Sequence, residues 1–160
     1  MKPNDISNVA HLLDAVFGAD RFEKTAYRLR DGVSAVAELS FVAHIDGHLK
    51  ASLQFWSIEI KDEDGTVPAL LLGPIAVSAE YQGQGMGLEL MEHGLNAARD
   101  MGHQRVILVG DECYYQKVGF SRALATGLEM PGPVDQNRLL ARELVSGAMQ
   151  GIKGMISKIK

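Results

Sequence analysis

The sequence predicts an α/β domain built on a mixed sheet, with antiparallel hairpins first and one strand–helix–strand crossover later. Three observations predict it. Asp46-Gly47 stands between two apolar runs, the pattern of a tight hairpin whose turn residues both take positive φ. Ala69 to Val77 is nearly all apolar, as a strand buried on both faces would be. A helical stripe then separates it from a second apolar run, Arg105 to Gly110, and a crossover of that length joins parallel or nearly parallel strands.

The elements follow in order. Asp5 or Ser7 is placed to cap a first helix, in which Val9, Leu12, Leu13, Val16 and Phe17 recur at helical spacing until Gly18. Arg21 to Arg30 reads as a second, shorter helix, stopped by Asp31-Gly32. Leu39 to Ile45 and His48 to Ile60 are the hairpin strands, and Lys61 to Gly65 is a polar second turn. Gly73-Pro74 interrupts the third run; proline donates nothing to a ladder, so a bulge or break is expected there. Leu88, Met91, Leu95 and Ala98 form the stripe of the crossover helix, with Gly102 as its natural stop. A short helix should start near Cys113 and end before Gly119-Phe120. Leu124–Met130 and Leu139–Leu144 read as a closing pair of strands around Pro131-Gly132-Pro133. Ala148 to Lys160 is weakly amphipathic, and its lysines read as a solvated helix face.

The chain has 160 residues, 46% of them hydrophobic and 22% charged, which suits one globular domain over residues 1–160, with a core at about 8–144 and a tail at 145–160. A formal net charge of −4 argues against nucleic acid as a partner, because phosphate backbones are met by basic faces. The single cysteine, Cys113, permits no intrachain disulfide. Met1 to Asp5 lacks the basic-then-apolar order of a signal peptide, and no apolar run has the length of a membrane span. A cytoplasmic location, away from membranes, is the expectation.

Gln82-Gly83-Gln84-Gly85-Met86-Gly87 is the most specific feature. Glycine lets the backbone turn tightly and press on a ligand, and a helix opening just after it aims unpaired N–H groups and a positive dipole end at an anion. The segment reads as a phosphate cradle. A triphosphate-binding loop needs lysine and a hydroxyl residue after the last glycine, and here Leu88-Glu89 follow. A dinucleotide fingerprint would put its third glycine at Leu88 or Leu90, although Asp111 does end the next strand as a ribose-binding acid would. A ligand-free turn is the remaining plain reading.

Gln82-x-x-Gly85-x-Gly87 resembles the acyl-CoA signature of the GNAT superfamily of N-acetyltransferases. Leu72-Gly73-Pro74-Ile75-Ala76-Val77 is similar to that family's fourth strand, and Tyr115-Gln116-Lys117-Val118-Gly119-Phe120 to its Y-x-x-x-G-F segment. Gly110-Asp111 and Met130-Pro131-Gly132-Pro133 resemble a bacterial branch of predicted acetyltransferases. The resemblance implies the acyl-CoA N-acyltransferase fold, a twisted, mostly antiparallel sheet of about six or seven strands, an ordinary size for an open sheet, with helices on both faces. Relatives open on a short strand; here only Met1 to Asp5 precedes the first helix, so that strand is expected to be short or absent.

The resemblance also implies chemistry: transfer of an acetyl group from acetyl-CoA to a primary amine of a small molecule or peptide, without metal, and in the family commonly by a homodimer. Backbone amides of Gln84 to Leu88 would hold the CoA pyrophosphate, with Gln82, Gly83, Gly85, Met86 and Gly87 forming the cradle. Ile75, Ala76 and Val77 would run beside the pantetheine arm, and the thioester would sit near Gly73-Pro74, where backbone donors meet the developing oxyanion. Tyr115 matches the general acid, and a neutral phenol can donate a proton at pH 7; Tyr114 takes that role if the helix register differs. Many relatives carry a glutamate on the fourth strand, but Ala69 to Val77 holds no acid. Asp111, Glu112 and, below them, Glu59 are the candidate bases, or the amine arrives neutral. The missing acid keeps a second reading open, a CoA-sensing or scaffold domain of the same fold. A nicotinamide-dependent oxidoreductase is a third. Cys113 reads as a small buried residue rather than a nucleophile, and the five histidines as solvated or capping groups.

Overall fold

The computed structural model describes residues 1–18 and 25–159. Helix α1 runs over Asp5–Phe17 and α2 over Thr25–Arg28; the Arg21–Lys24 part of the expected second helix lies outside the described residues. Strands β1 (Phe41–Ile45), β2 (His48–Asp62) and β3 (Gly65–Val77) follow, then α3 (Met86–Asp100), β4 (Arg105–Val109) and α4 (Glu112–Tyr115). Strands β5 (Leu128–Glu129), β6 (Leu139–Glu143) and β7 (Gly154–Lys158) complete a seven-stranded sheet in the order β5-β7-β2-β3-β4-β6. β1 lies off this path because it shares an edge of β2 with β7: β1 takes His48–Leu53 and β7 takes Ile58–Lys61.

The hairpin turn forms as its sequence requires. Asp46 and Gly47 both have positive φ, 52° and 79°, which matches the right-handed twist of the flanking strands. The polar turn at the far end is held by Asp62, whose Oδ1 accepts from the amides of Asp64 and Gly65. β3 and β4 are parallel, and the α3 crossover between them is the expected βαβ unit.

Alternation along the strands sorts the core onto two faces. Leu53, Phe55, Leu70, Leu72, Val106, Leu108 and Leu140 pack beneath Met91, Leu95 and Ala98 of α3. Gly94 lets that helix come close, since a Cβ there would meet Phe55 Cε2 at 2.8 Å. On the opposite face Ile58, Ile60, Leu71, Ile107, Leu139, Ala141 and Ile156 gather around Leu29. Val9, Leu12 and Leu13 of α1 cover Ala76.

Three expectations change and one holds. Asp5 does not cap α1: Asn4 holds the cap position without a side-chain bond, while Asp5 sits in the first turn, its carboxylate accepting from Lys2 N at 2.7 Å. No strand precedes α1 among the described residues, as the short N-terminal segment suggested. Leu124–Met130 and Leu139–Leu144 are not partners: β5 pairs in parallel with β7, and β6 pairs with β4. The tail is not a helix face but a strand, β7, held between β5 and β2, whose Ile156 is fully buried. Both corrections have one cause. Short apolar runs after a crossover carry no information about which open edge they will meet. No described helix is long and apolar enough to cross a membrane.

Candidate active site

β3 and β4 pair only at Leu70 with Val106 and Leu71 with Ile107. Past that point β3 follows β2 to Val77, while β4 follows β6 to Val109. Among the described residues no strand pairs with the β4-facing edge of β3 over Leu72–Val77. The parting coincides with the expected bulge. Gly73 and Pro74 together oppose Gln54, between the pairs Phe55–Leu72 and Leu53–Ile75. The Gly73 carbonyl accepts from Trp56 Nε1 at 2.6 Å, which ties the bulge to β2. A cavity of about 560 Å³ fills the wedge, with Ile75, Gly110, Asp111, Tyr114 and Tyr115 in its wall.

A second cavity of about 330 Å³ adjoins it, lined by Val77, Gln82, Gly83, Gly85, Met86, Gly87 and Leu88. Gly85 takes the left-handed conformation at the cap of α3, φ 83°, which the chain needs to turn into the helix. No side chain caps α3, and its first backbone bond is Glu89 N to Gly85 O. The amides of the first turn therefore face this cavity as donors for an anion. Gly87 is needed for a different reason: a Cβ would lie 2.9 Å from Tyr114 Oη. Gln82 Nε2 donates to the Val77 carbonyl at 2.9 Å and ties the cradle to β3. Gln84 points elsewhere, its amide donating to Glu80 O, and the Ala76 side chain is buried against α1.

Two tyrosines mark the junction of the cavities. Tyr114 lines both, whereas Tyr115 lines only the larger. Their rings meet edge to face at 4.9 Å, and Phe120 packs on Tyr115 at 6.4 Å. Gly110 makes room for Tyr115, because a Cβ there would come within contact-forbidding range of the Tyr115 ring. Burial pushes the Tyr115 phenol above its usual value; Tyr114 adds to the shift, Arg138 opposes it, and Asp111 adds the smallest part. Tyr114 is also raised, by burial alone.

The candidate bases separate. Asp111 lines the large cavity, but its Oδ1 caps α4 by accepting from Cys113 N at 3.1 Å. Glu112 Oε2 accepts from Arg122 N at 2.7 Å and is a structural tie. Glu59 lies in neither cavity wall and faces Lys61 at 3.6 Å. Cys113 is exposed rather than buried. No three His, Cys, Asp or Glu side chains among the described residues gather as a metal site.

Sequence reasoning missed the far wall. Arg30, read only as the end of a helix, stands beside the bulge, with Nη2 2.9 Å from where a Cβ on Gly73 would be. Its guanidinium lies 4.4 Å from the Tyr27 ring centre and 5.8 Å from that of Trp56. Nε and Nη1 are buried and meet no acceptor among the described residues. Burial lowers its pKa to about 10. Arg30 could not have been found from its neighbours in sequence, because Trp56 and Gly73 reach it only through the sheet.

A mixed sheet whose central strands part beside a glycine cradle, with a tyrosine pair at the junction, defines an acyltransferase of the acyl-CoA N-acyltransferase fold. The model of the GNAT acetyltransferase domain matches residues 1–123, and the chain belongs to that family. It is 26% identical over 155 residues to YhbS, an uncharacterised N-acetyltransferase of Escherichia coli K12, covering 96% of this chain and 90% of that one. A second E. coli K12 relative, the uncharacterised N-acetyltransferase YjhQ, is 29% identical over 134 residues, 83% of this chain and 74% of its own. The crystal structure of E. coli YhbS in complex with CoA superposes with a TM-score of 0.83 at 25% identity, over 99% of this chain and 87% of that one. A GNAT family acetyltransferase from Brucella melitensis in complex with acetyl-CoA shares the fold, with a TM-score of 0.73 at 21% identity over 99% and 92% of the two chains.

Proposed function

We propose that the chain binds acetyl-CoA in the paired cavities and transfers its acetyl group directly to a primary amine. The observation that carries this reading is the continuity of three features: the α3 cradle, the unpaired edge of β3 and the bulge at Gly73-Pro74. The cradle suits a pyrophosphate, since it offers first-turn amides and lacks the Cβ that would close it at Gly87. The free edge over Leu72–Val77 suits an extended arm that bonds like a strand. The thioester then lies by the bulge, in the wall of the larger cavity.

Acetyl-CoA supplies the activated acyl group as cosubstrate. The amine lone pair attacks the thioester carbonyl, and the carbon–sulfur bond breaks. Tyr115 donates its phenolic proton to the departing sulfur; its raised pKa keeps that proton in place at neutral pH. The incoming amine must shed a proton or arrive neutral; we assign the proton to Asp111, the carboxylate of the cavity wall whose charge reaches Tyr115.

The same observations serve a CoA-sensing domain, because β3 brings no acid to the cavity. Isothermal titration with acetyl-CoA tests the cofactor, and thiol release in the presence of amines tests turnover. Binding should be lost in Gly85→Glu, which puts a carboxylate at a left-handed position inside an anion cradle. An unchanged titration in that variant would remove the cradle from the reading. Binding without release across a broad amine panel would favour the sensor.

A further inference from the structure

We infer that Arg30 selects the acceptor: the amine this protein acetylates carries a carboxylate a few bonds from its amino group, as a free amino acid does. The inference rests on the proposed acetyl transfer. Arg30 lines both the large cavity and a neighbouring cavity of about 540 Å³, and it stands at their shared boundary with Tyr27 and Pro74. The guanidinium is stacked with aromatic rings, and two of its nitrogens are buried without an acceptor among the described residues. A buried cation with unmade hydrogen bonds is costly, and no Asp or Glu among the described residues lies within ion-pair distance of it. An arriving carboxylate would satisfy it with charge-assisted bonds, the strongest kind available to arginine.

Position decides the chemical class. Arg30 touches the bulge where the thioester is proposed to lie, so the bound anion and the reacting amine are close together. Among the described residues the cavity wall also holds Asp111 and Asp135, with Arg138 as its other cation. Two carboxylates balance two cations, which favours a monoanion over a phosphate dianion. The acids share the cavity wall with Arg30 without an ion pair to it among the described residues, so they are available to the ammonium end of a zwitterion.

The test is a matched panel: free L-amino acids, their α-amides and their decarboxylated amines, each assayed for thiol release from acetyl-CoA. The best acceptors of the wild type should carry the carboxylate and exceed their amides in kcat/KM by ~10-fold or more. Arg30→Gln should reduce that ratio to about two-fold while leaving acetyl-CoA affinity unchanged in titration. Arg30→Lys, which keeps the charge but loses the fork, should retain part of the ratio and guards against a variant that fails to fold. If the wild type binds acetyl-CoA but prefers no carboxylate over its amide, the inference is overturned and the proposed reaction stands. Equal loss toward acids and amides in Arg30→Gln would also overturn it, by making Arg30 a general electrostatic group. Failure to bind acetyl-CoA at all would overturn both.

Discussion

The cradle end of the cleft is made by one short segment, Val77 to Leu88, aided by Tyr114 and Lys117. The far wall draws Tyr27 and Arg30, Trp56, Gly73-Pro74 and Arg138 from four distant stretches. On the proposed reading the cradle meets its ligand mainly through backbone groups, so its residue types are set by conformation and contact. The far wall recognises through side chains, and its composition follows from which strands adjoin. One end is thereby suited to an invariant phosphate and the other to a variable acceptor.

Tyr115 stands in the wall of the larger cavity, against Tyr114, and changing it should have the largest effect. Tyr115→Phe is expected to lower kcat by about 100-fold or more, the usual worth of a positioned general acid, with acetyl-CoA affinity intact. Gly110→Ala should reproduce much of that loss without touching the phenol, since its Cβ would displace the ring. Steady-state kinetics beside titration separates the two quantities. A loss of affinity that matches the loss of kcat would move Tyr115 to the cradle end.

The sheet beneath both ends supplies the next effect. Ile156→Ala should cost about 3 kcal/mol, because the side chain is fully buried between Ile58, Ile60 and their neighbours. Denaturant unfolding measures it, and acetyl-CoA affinity should persist in the folded fraction. A cost below about 1 kcal/mol would mean that β7 is not docked as described.

The two ends were unequally legible in the sequence. Gly83, Gly85 and Gly87 announce the cradle because their spacing is a local rule, and the bulge is announced by Gly73-Pro74. Asp46-Gly47 and the apolar runs at 69–77 and 105–110 predict the hairpin and the βαβ unit, because each is decided within a few residues. β7 and Arg30 were not legible. Ile156 finds its neighbours only once β2 has an open edge, and Arg30 gains its meaning from Trp56 and Gly73, which lie 26 and 43 positions further along the chain. The failures lie where an element depends on partners remote in sequence, which is also where the acceptor is chosen.

Gly87→Ala sharpens the comparison from the cradle side. The added methyl would approach Tyr114 Oη to 2.9 Å and Val77 Cγ2 to 3.4 Å. Tyr114 can rotate away, so acetyl-CoA affinity should fall by about ten-fold rather than vanish, equivalent to ~1.4 kcal/mol. The preference among acceptors should be unchanged. A shifted preference at constant affinity would show that the two ends are coupled through Tyr114, the one described residue that lines both cavities.

The smallest expected effect probes how the far wall is held. α1 contributes Phe17 and Leu13 to the cavities on that side, and its first turn is fastened to β1 by Asp5. The Asp5 carboxylate accepts from Lys2 N at 2.7 Å and meets His44 Nε2 at 3.1 Å. The Lys2 hydrogen bond is the main cause that holds its pKa below 3.8, with smaller help from His44. A carboxyl depressed by folding stabilises the fold above its unfolded value, and that contribution is lost as pH falls through the lower, folded value. Asp5→Asn should therefore melt slightly below the wild type at neutral pH. The two melting curves should converge as pH drops below 3.8. Acetyl-CoA affinity at neutral pH should not change, because the cradle shares no residue with this contact. Curves that stay parallel from neutral to acid pH would show that the variant acts through helix packing and not through the charge of Asp5.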